Sequence, residues 1–148
     1  MSKLTIIAGL PGSGKSHLVR ELHESTSGSR VEDYMKESKD NSSRMVHSQH
    51  FEKLIEDLSK GLDCVIADIV FCEAARREEI ESAVKEKVRD VEIEWVYFEN
   101  DPVACAVNAT RRNMEKLIKQ IQRIDELSKK YDVPKDIGIK PVFKLDKH

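Results

Sequence analysis

Gly9-Leu10-Pro11-Gly12-Ser13-Gly14-Lys15-Ser16 constrains this chain more than any other stretch, because it meets every fixed position of the pattern G-x-x-x-x-G-K-[ST]. Leu4-Thr5-Ile6-Ile7-Ala8 before it reads as a buried strand, and His17 to Leu22 after it reads as a helix. A glycine-rich turn in that setting lets successive backbone N–H groups point inward at phosphate oxygens. The helix start near Lys15 adds its partial positive charge. Lys15 would reach the β- and γ-phosphates and the Ser16 hydroxyl would hold Mg²⁺. Gly9, Pro11, Gly12, Ser13, Gly14, Lys15, Ser16 and His17 are the expected nucleotide contacts, with ATP and Mg²⁺ as the expected cofactors.

The 148 residues fit a single domain, 1–148, able to bury about 70% of its unfolded surface. Charged residues make up 35% and aromatics 5%, which predicts a charged surface over an aliphatic core. A net charge of −2 gives no global attraction to nucleic acid or anionic membrane. There is no apolar run long enough to span a bilayer and no signal-peptide pattern, so the expectation is a cytoplasmic protein without a membrane partner. Cys64, Cys72 and Cys105 lack C-x-x-C spacing and read as reduced thiols buried beside strands.

Strand and helix signals alternate along the chain, the signature of a parallel sheet with crossover helices. After the first strand and a helix over 15–24 comes a short strand at 30–33. A helix over 44–60 stops at Gly61, and Cys64-Val65-Ile66-Ala67-Asp68 forms the third strand. A helix over 73–88 and a strand over 91–98 follow. Asp101-Pro102 is a helix start, with the helical signal running to Tyr131 and an optional break near Asn113. Pro141-Val142-Phe143 reads as a last edge strand. The predicted class is α/β: a three-layer P-loop NTPase fold, its parallel sheet flanked by helices, with a helical arginine lid.

Ligands of an open parallel sheet lie at the carboxyl ends of its strands, and acids recur there. Asp68 closes the third strand and is the candidate Mg²⁺ ligand, with a helix N-cap or a solvated strand-end acid as the alternatives. Glu32 and Asp33 close the second strand; neighbouring strand residues face opposite sides, so one can accept a proton from an attacking hydroxyl, and Asp33 lies nearer the end. Arg111 and Arg112 open a segment, 111–130, with seven Lys or Arg against three Asp or Glu. One of the two arginines can stabilise charge developing on a transferred phosphoryl group. Arg76 and Arg77 read as solvated helix charges, or as contacts to a substrate phosphate. Ile118, Ile121, Ile124 and Leu127 form an apolar stripe expected to pack in the core. Trp95 and Tyr97 are expected to pack along the fourth strand, and the histidines show no ligand spacing.

No N-K-x-D or D-x-x-G motif of a GTPase is present, and Asp68 is followed by Ile69 rather than the Glu of a mechanochemical ATPase. The chain resembles the P-loop kinases that include the 5′-hydroxyl polynucleotide kinases and related phage and bacterial nucleotide-kinase-like proteins, with zeta-toxin kinases more distant. The residues carrying the resemblance are GLPGSGKS at 9–16, VEDY at 31–34, CVIAD at 64–68 followed by Arg76-Arg77, and VYFENDPVACAVNATRR at 96–112. It implies that Lys15 and Ser16 bind phosphates and Mg²⁺. It further implies that Asp33 or Glu32 is the base, that Asp68 supports metal or substrate, and that Arg112, or Arg111, is the lid arginine. The implied partners are a nucleoside triphosphate and a small-molecule or nucleic-acid-end acceptor. Met35 and Lys36 stand where polynucleotide kinases carry a substrate-gripping arginine, so the acceptor stays open. A nucleotide switch or slow NTPase without an acceptor is the alternative class.

Overall fold

The two most apolar strands lie side by side at the centre of the sheet. β1 (Lys3–Ala8) is buried over its last five residues and β3 (Cys64–Asp68) over all five, as strands covered on both faces must be. The computed structural model describes residues 2–22, 25–32, 34, 49–110, 117–134 and 138–142. Its other elements are α1 (Lys15–Glu21), β2 (Arg30–Val31), α2 (Gln49–Ser59), α3 (Ala74–Lys87), β4 (Glu92–Phe98), α4 (Pro102–Thr110), α5 (Leu117–Ser128) and β5 (Ile139–Lys140). All five strands are parallel, in the order β2-β3-β1-β4-β5.

Side-chain alternation divides the core into two layers. Leu4, Ile6 and Ala8 of β1 face one side, with Cys64 and Ile66 of β3. There they meet Leu54 and Leu58 of α2, Ile80 and Val84 of α3, Cys105 and Ala109 of α4, and Ile124 and Leu127 of α5. Ile7, Val65, Ala67 and Phe98 face the other side and meet Leu18 and Val19 of α1. The predicted α/β class, with a parallel sheet between helical layers, is what the chain forms.

Several local expectations hold. Gly61 follows α2 with φ +83°, the left-handed residue expected just past a helix end. Trp95 stacks on Tyr97 at 5.9 Å and donates its indole N–H to Glu81 at 2.8 Å. All three cysteines are buried and free. No helix among the described residues is long and apolar enough to cross a membrane.

Other expectations need correction. The last strand lies at Ile139–Lys140, and Pro141 and Val142 are outside it; Phe143 lies outside the described residues. Pro141 has no N–H for a ladder, so pairing stops before it, and Val142 N–H turns instead to the Glu99 carboxylate at 3.0 Å. The helical signal after Asp101 is carried by α4 and α5, which pack on each other; the allowed break near Asn113 lies outside the described residues. The apolar stripe on α5 is split: Ile124 and Leu127 are in the core, whereas Ile118 is 73% exposed and Ile121 is exposed as well. A 3-10 turn over Ile69–Cys72, which nothing in the sequence pattern marks, separates β3 from α3.

Candidate phosphate-binding site

β1 lies between β3 and β4, and the chain passes from one side of β1 to the other after β3. The carboxyl end of β1 is therefore a topological switch point, where a crevice opens in a doubly wound sheet. Residues 9–14 emerge there and run into α1.

The loop begins as a tight turn. Ser13 N–H donates to the Leu10 carbonyl at 3.1 Å, with Pro11 and Gly12 at the corners and Gly12 at φ +83°. Proline followed by a positive-φ glycine is the chemistry of a type II turn. Gly14 then takes φ 110° and ψ 15° as the N-cap of α1. The first turn of α1 has no intrahelical acceptors for its N–H groups, so its start presents donors and partial positive charge to the crevice. Lys15 is buried at 8% exposure and donates its Nζ to the Leu10 carbonyl at 2.8 Å. One carbonyl thus receives both the turn N–H and the lysine. The Ser13 hydroxyl is fully buried and has no hydrogen-bond partner among the described residues. An orphan donor beside a buried lysine and a helix N-terminus is a donor set suited to an oxyanion such as a phosphate.

Two contacts from elsewhere in the chain hold this loop. Asn108 of α4 donates its Nδ2 to the Gly12 carbonyl at 2.8 Å. Tyr131, just beyond α5, places its hydroxyl 2.5 Å from the Phe98 carbonyl and 3.2 Å from the Ala8 carbonyl. It spans the ends of β4 and β1 immediately before the loop. Burial pushes the Tyr131 hydroxyl well above the ordinary tyrosine range, so it stays a neutral donor. Sequence reasoning missed both residues. Asn108 reaches Gly12 across 96 positions of chain and Tyr131 reaches Ala8 across 123, and no local pattern marks such a partner.

At the neighbouring strand end, Asp68 pairs in register with Ala8, the last residue before the loop. Its Oδ1 accepts the Val70 N–H at 2.8 Å, capping the 3-10 turn. The capping alternative is therefore realised. Among the described residues no cluster of three or more His, Cys, Asp or Glu could hold a metal by itself. Mg²⁺ in nucleotide sites commonly takes only one or two protein ligands beside phosphate oxygens and water, and a hydroxyl and a carboxylate, the groups Ser16 and Asp68 carry, are oxygen donors of the kind it takes.

A family model described as an AAA domain matches residues 4–134. The chain belongs to this AAA domain family. The parallel sheet, the phosphate loop after β1 and this family match together mark a P-loop nucleotide-binding fold. It is similar to uncharacterized protein R277 of Acanthamoeba polyphaga mimivirus, at 30% identity over 147 residues covering 96% of this chain and 98% of that protein. Among solved structures it is similar to the Deinococcus radiodurans tunicamycin resistance protein, with a TM-score of 0.47, 18% identity, and coverage of 84% of this chain and 81% of that one.

The remaining candidates in this AAA domain divide into three groups. Asp33, Arg111 and Arg112 lie outside the described residues. Glu32 is described, half-exposed and 3.8 Å from Arg20, while His17 pairs with Glu21 along α1 at 3.0 Å. Arg76 and Arg77 both have partners within the protein. Arg76 pairs with Glu79 at 3.1 Å. Arg77 is buried, donates to the Phe71 and Asp132 carbonyls at 2.8 Å each, and lies over the Tyr97 ring. A guanidinium shared by two carbonyls and an aromatic face is committed to packing.

Proposed function

We propose that the protein is an ATP-dependent phosphotransferase, moving the γ-phosphoryl group of ATP to a hydroxyl or phosphate of a nucleoside, a nucleotide, a nucleic-acid 5′ end or a related small molecule. The observation that carries this reading is the buried Lys15 at the start of α1, bonded back to the type II turn at the switch point, with Asp68 in register with Ala8 at the adjacent strand end. Membership of the AAA domain family, matched over residues 4–134, supports the nucleotide-binding part of it.

In this reading Gly9, Pro11, Gly12, Ser13, Gly14 and His17 line the phosphates. Lys15 neutralises charge on the β- and γ-oxygens as it shifts toward the leaving ADP. Ser16 and Asp68 would hold Mg²⁺, which supplies further neutralisation of the phosphate oxygens when bound. Asp33, or Glu32 beside it, takes the acceptor hydroxyl proton as that oxygen bonds to phosphorus and the β–γ bridge breaks. Arg112, or Arg111, stabilises the equatorial oxygens.

The test is ADP release from Mg·ATP with and without a panel of nucleosides, mononucleotides, 5′-hydroxyl oligonucleotides and sugar nucleotides. Stimulation by one class, lost in Asp33→Asn with ATP binding intact, establishes the kinase and names its acceptor. Tight ATP binding with slow, acceptor-independent hydrolysis throughout would replace this reading with a nucleotide switch.

A further inference from the structure

Gly12 is gripped by α4 at two points one helical turn apart. Its carbonyl accepts from Asn108, and its Cα lies so close to the Cys105 carbonyl that an added Cβ would come within 2.7 Å of that oxygen. The peptide joining Gly12 to Ser13 is thus fixed on both sides: its N–H is held by Leu10 and its C=O by Asn108. Asn108 itself is 4% exposed. Its helix is anchored at the start, where the Asp101 carboxylate accepts the Ala104 N–H at 3.0 Å. The grip therefore comes from a seated element.

A free peptide at this position can rotate. Gly12 tolerates either orientation because it has no Cβ. In the observed orientation the carbonyl points to α4. In the reversed one the carbonyl dipole would turn away from α4, and the Ser13 N–H would leave Leu10. That carbonyl would then keep Lys15 alone, and the turn that presents the lysine would be open.

We propose that Asn108 is a positioning residue for the phosphate loop, holding the Gly12–Ser13 peptide in the one orientation that leaves the loop's donors, and not a carbonyl oxygen, facing an anion. The inference rests on the reading of the loop as a nucleotide site. It assigns to α4 a part in nucleotide affinity that no pattern in the sequence marks.

The experiment compares wild type, Asn108→Leu and Asn108→Asp as full-length protein. Leucine matches the side chain in size and lacks the amide; aspartate keeps an oxygen at Oδ1 and removes the donor. Cooperative urea unfolding identifies the folded variants, and either one decides the question. Mg·ATP affinity is measured by calorimetry, and the bound β-phosphate is observed by ³¹P NMR at saturation. The expected result is affinity weakened about tenfold or more in a folded variant. The β-phosphate resonance should also move toward its free position, because the donors around it no longer align. Affinity within about twofold of wild type overturns the proposal. So does weaker affinity with an unchanged bound spectrum, which would make Asn108 a stabilising residue and nothing more. Failure of wild type itself to bind Mg·ATP overturns the nucleotide reading and this inference together, whereas binding by wild type and variants alike overturns the inference alone.

Discussion

The Tyr131 hydroxyl donates to the Phe98 carbonyl at 2.5 Å, closing the end of β4 over the point where β1 gives way to the phosphate loop. The Ala8 carbonyl, at 3.2 Å, shares the same hydroxyl. A residue beyond the last long helix thus fixes the exit angle of the first strand.

Tyr131→Phe removes this donor and leaves two carbonyls in a dry setting without it. The expected cost is about 1–3 kcal/mol of stability, read as a lower urea midpoint with an unchanged slope. Because the carbonyls adjoin the loop, Mg·ATP affinity should fall as well. A variant equal to wild type in midpoint would show that the hydroxyl contributes no net stability.

Asp68 has a capping role in the structure and a metal role in the proposed reaction, and the Asp68→Asn substitution separates them. Asparagine caps a helical turn about as well as aspartate, so Asp68→Asn should unfold within about 0.5 kcal/mol of wild type. The loss of charge should lower Mg²⁺-dependent turnover by about a hundredfold. Full turnover in the folded variant would confine Asp68 to its cap on Val70.

The three thiols predict a weakness at high pH. Burial pushes Cys72 and Cys105 each up to about 12 and Cys64 up to about 11, from the ordinary 9.0. Unfolded thiols lose their protons first, so the full stability present below pH about 9 is lost as pH rises toward 12. Tyr131, raised by burial, acts in the same direction. Urea midpoints should fall steadily from about pH 8 to about pH 11. At about pH 8 an aromatic disulfide reagent should label the native thiols at least about a hundredfold more slowly than the urea-unfolded chain. Prompt labelling of native Cys72 or Cys105 would contradict their burial.

What the sequence disclosed follows the range of the interactions involved. The β1–loop–α1 unit was legible because its chemistry is local: the turn, the left-handed Gly14 and the helix start occupy consecutive positions. β3 was legible because burial on both faces leaves an unbroken apolar run. The 3-10 turn was hidden because Ile69-Val70-Phe71-Cys72 is apolar enough to resemble more strand, and only the Asp68 cap redirects it. Arg77 was misjudged because its partners are backbone carbonyls, one of them 55 residues distant. Asn108 and Tyr131 were invisible for the same reason. The phosphate site could be found from one short stretch of chain, but the residues that hold it still could not.

The all-parallel sheet also has a consequence for how the molecule is made. Leu4 pairs with Cys64 and Lys3 with Glu92, so β1 gains both neighbours only after β3 and then β4 have been synthesised. On the ribosome the glycine-rich loop leaves the exit tunnel attached to an apolar strand whose two sheet neighbours, β3 and β4, are still to be made. Such distant pairings fold slowly, and an unpaired apolar edge invites association with other nascent chains. The phosphate loop is therefore made well before the strands that flank its own can hold it in place.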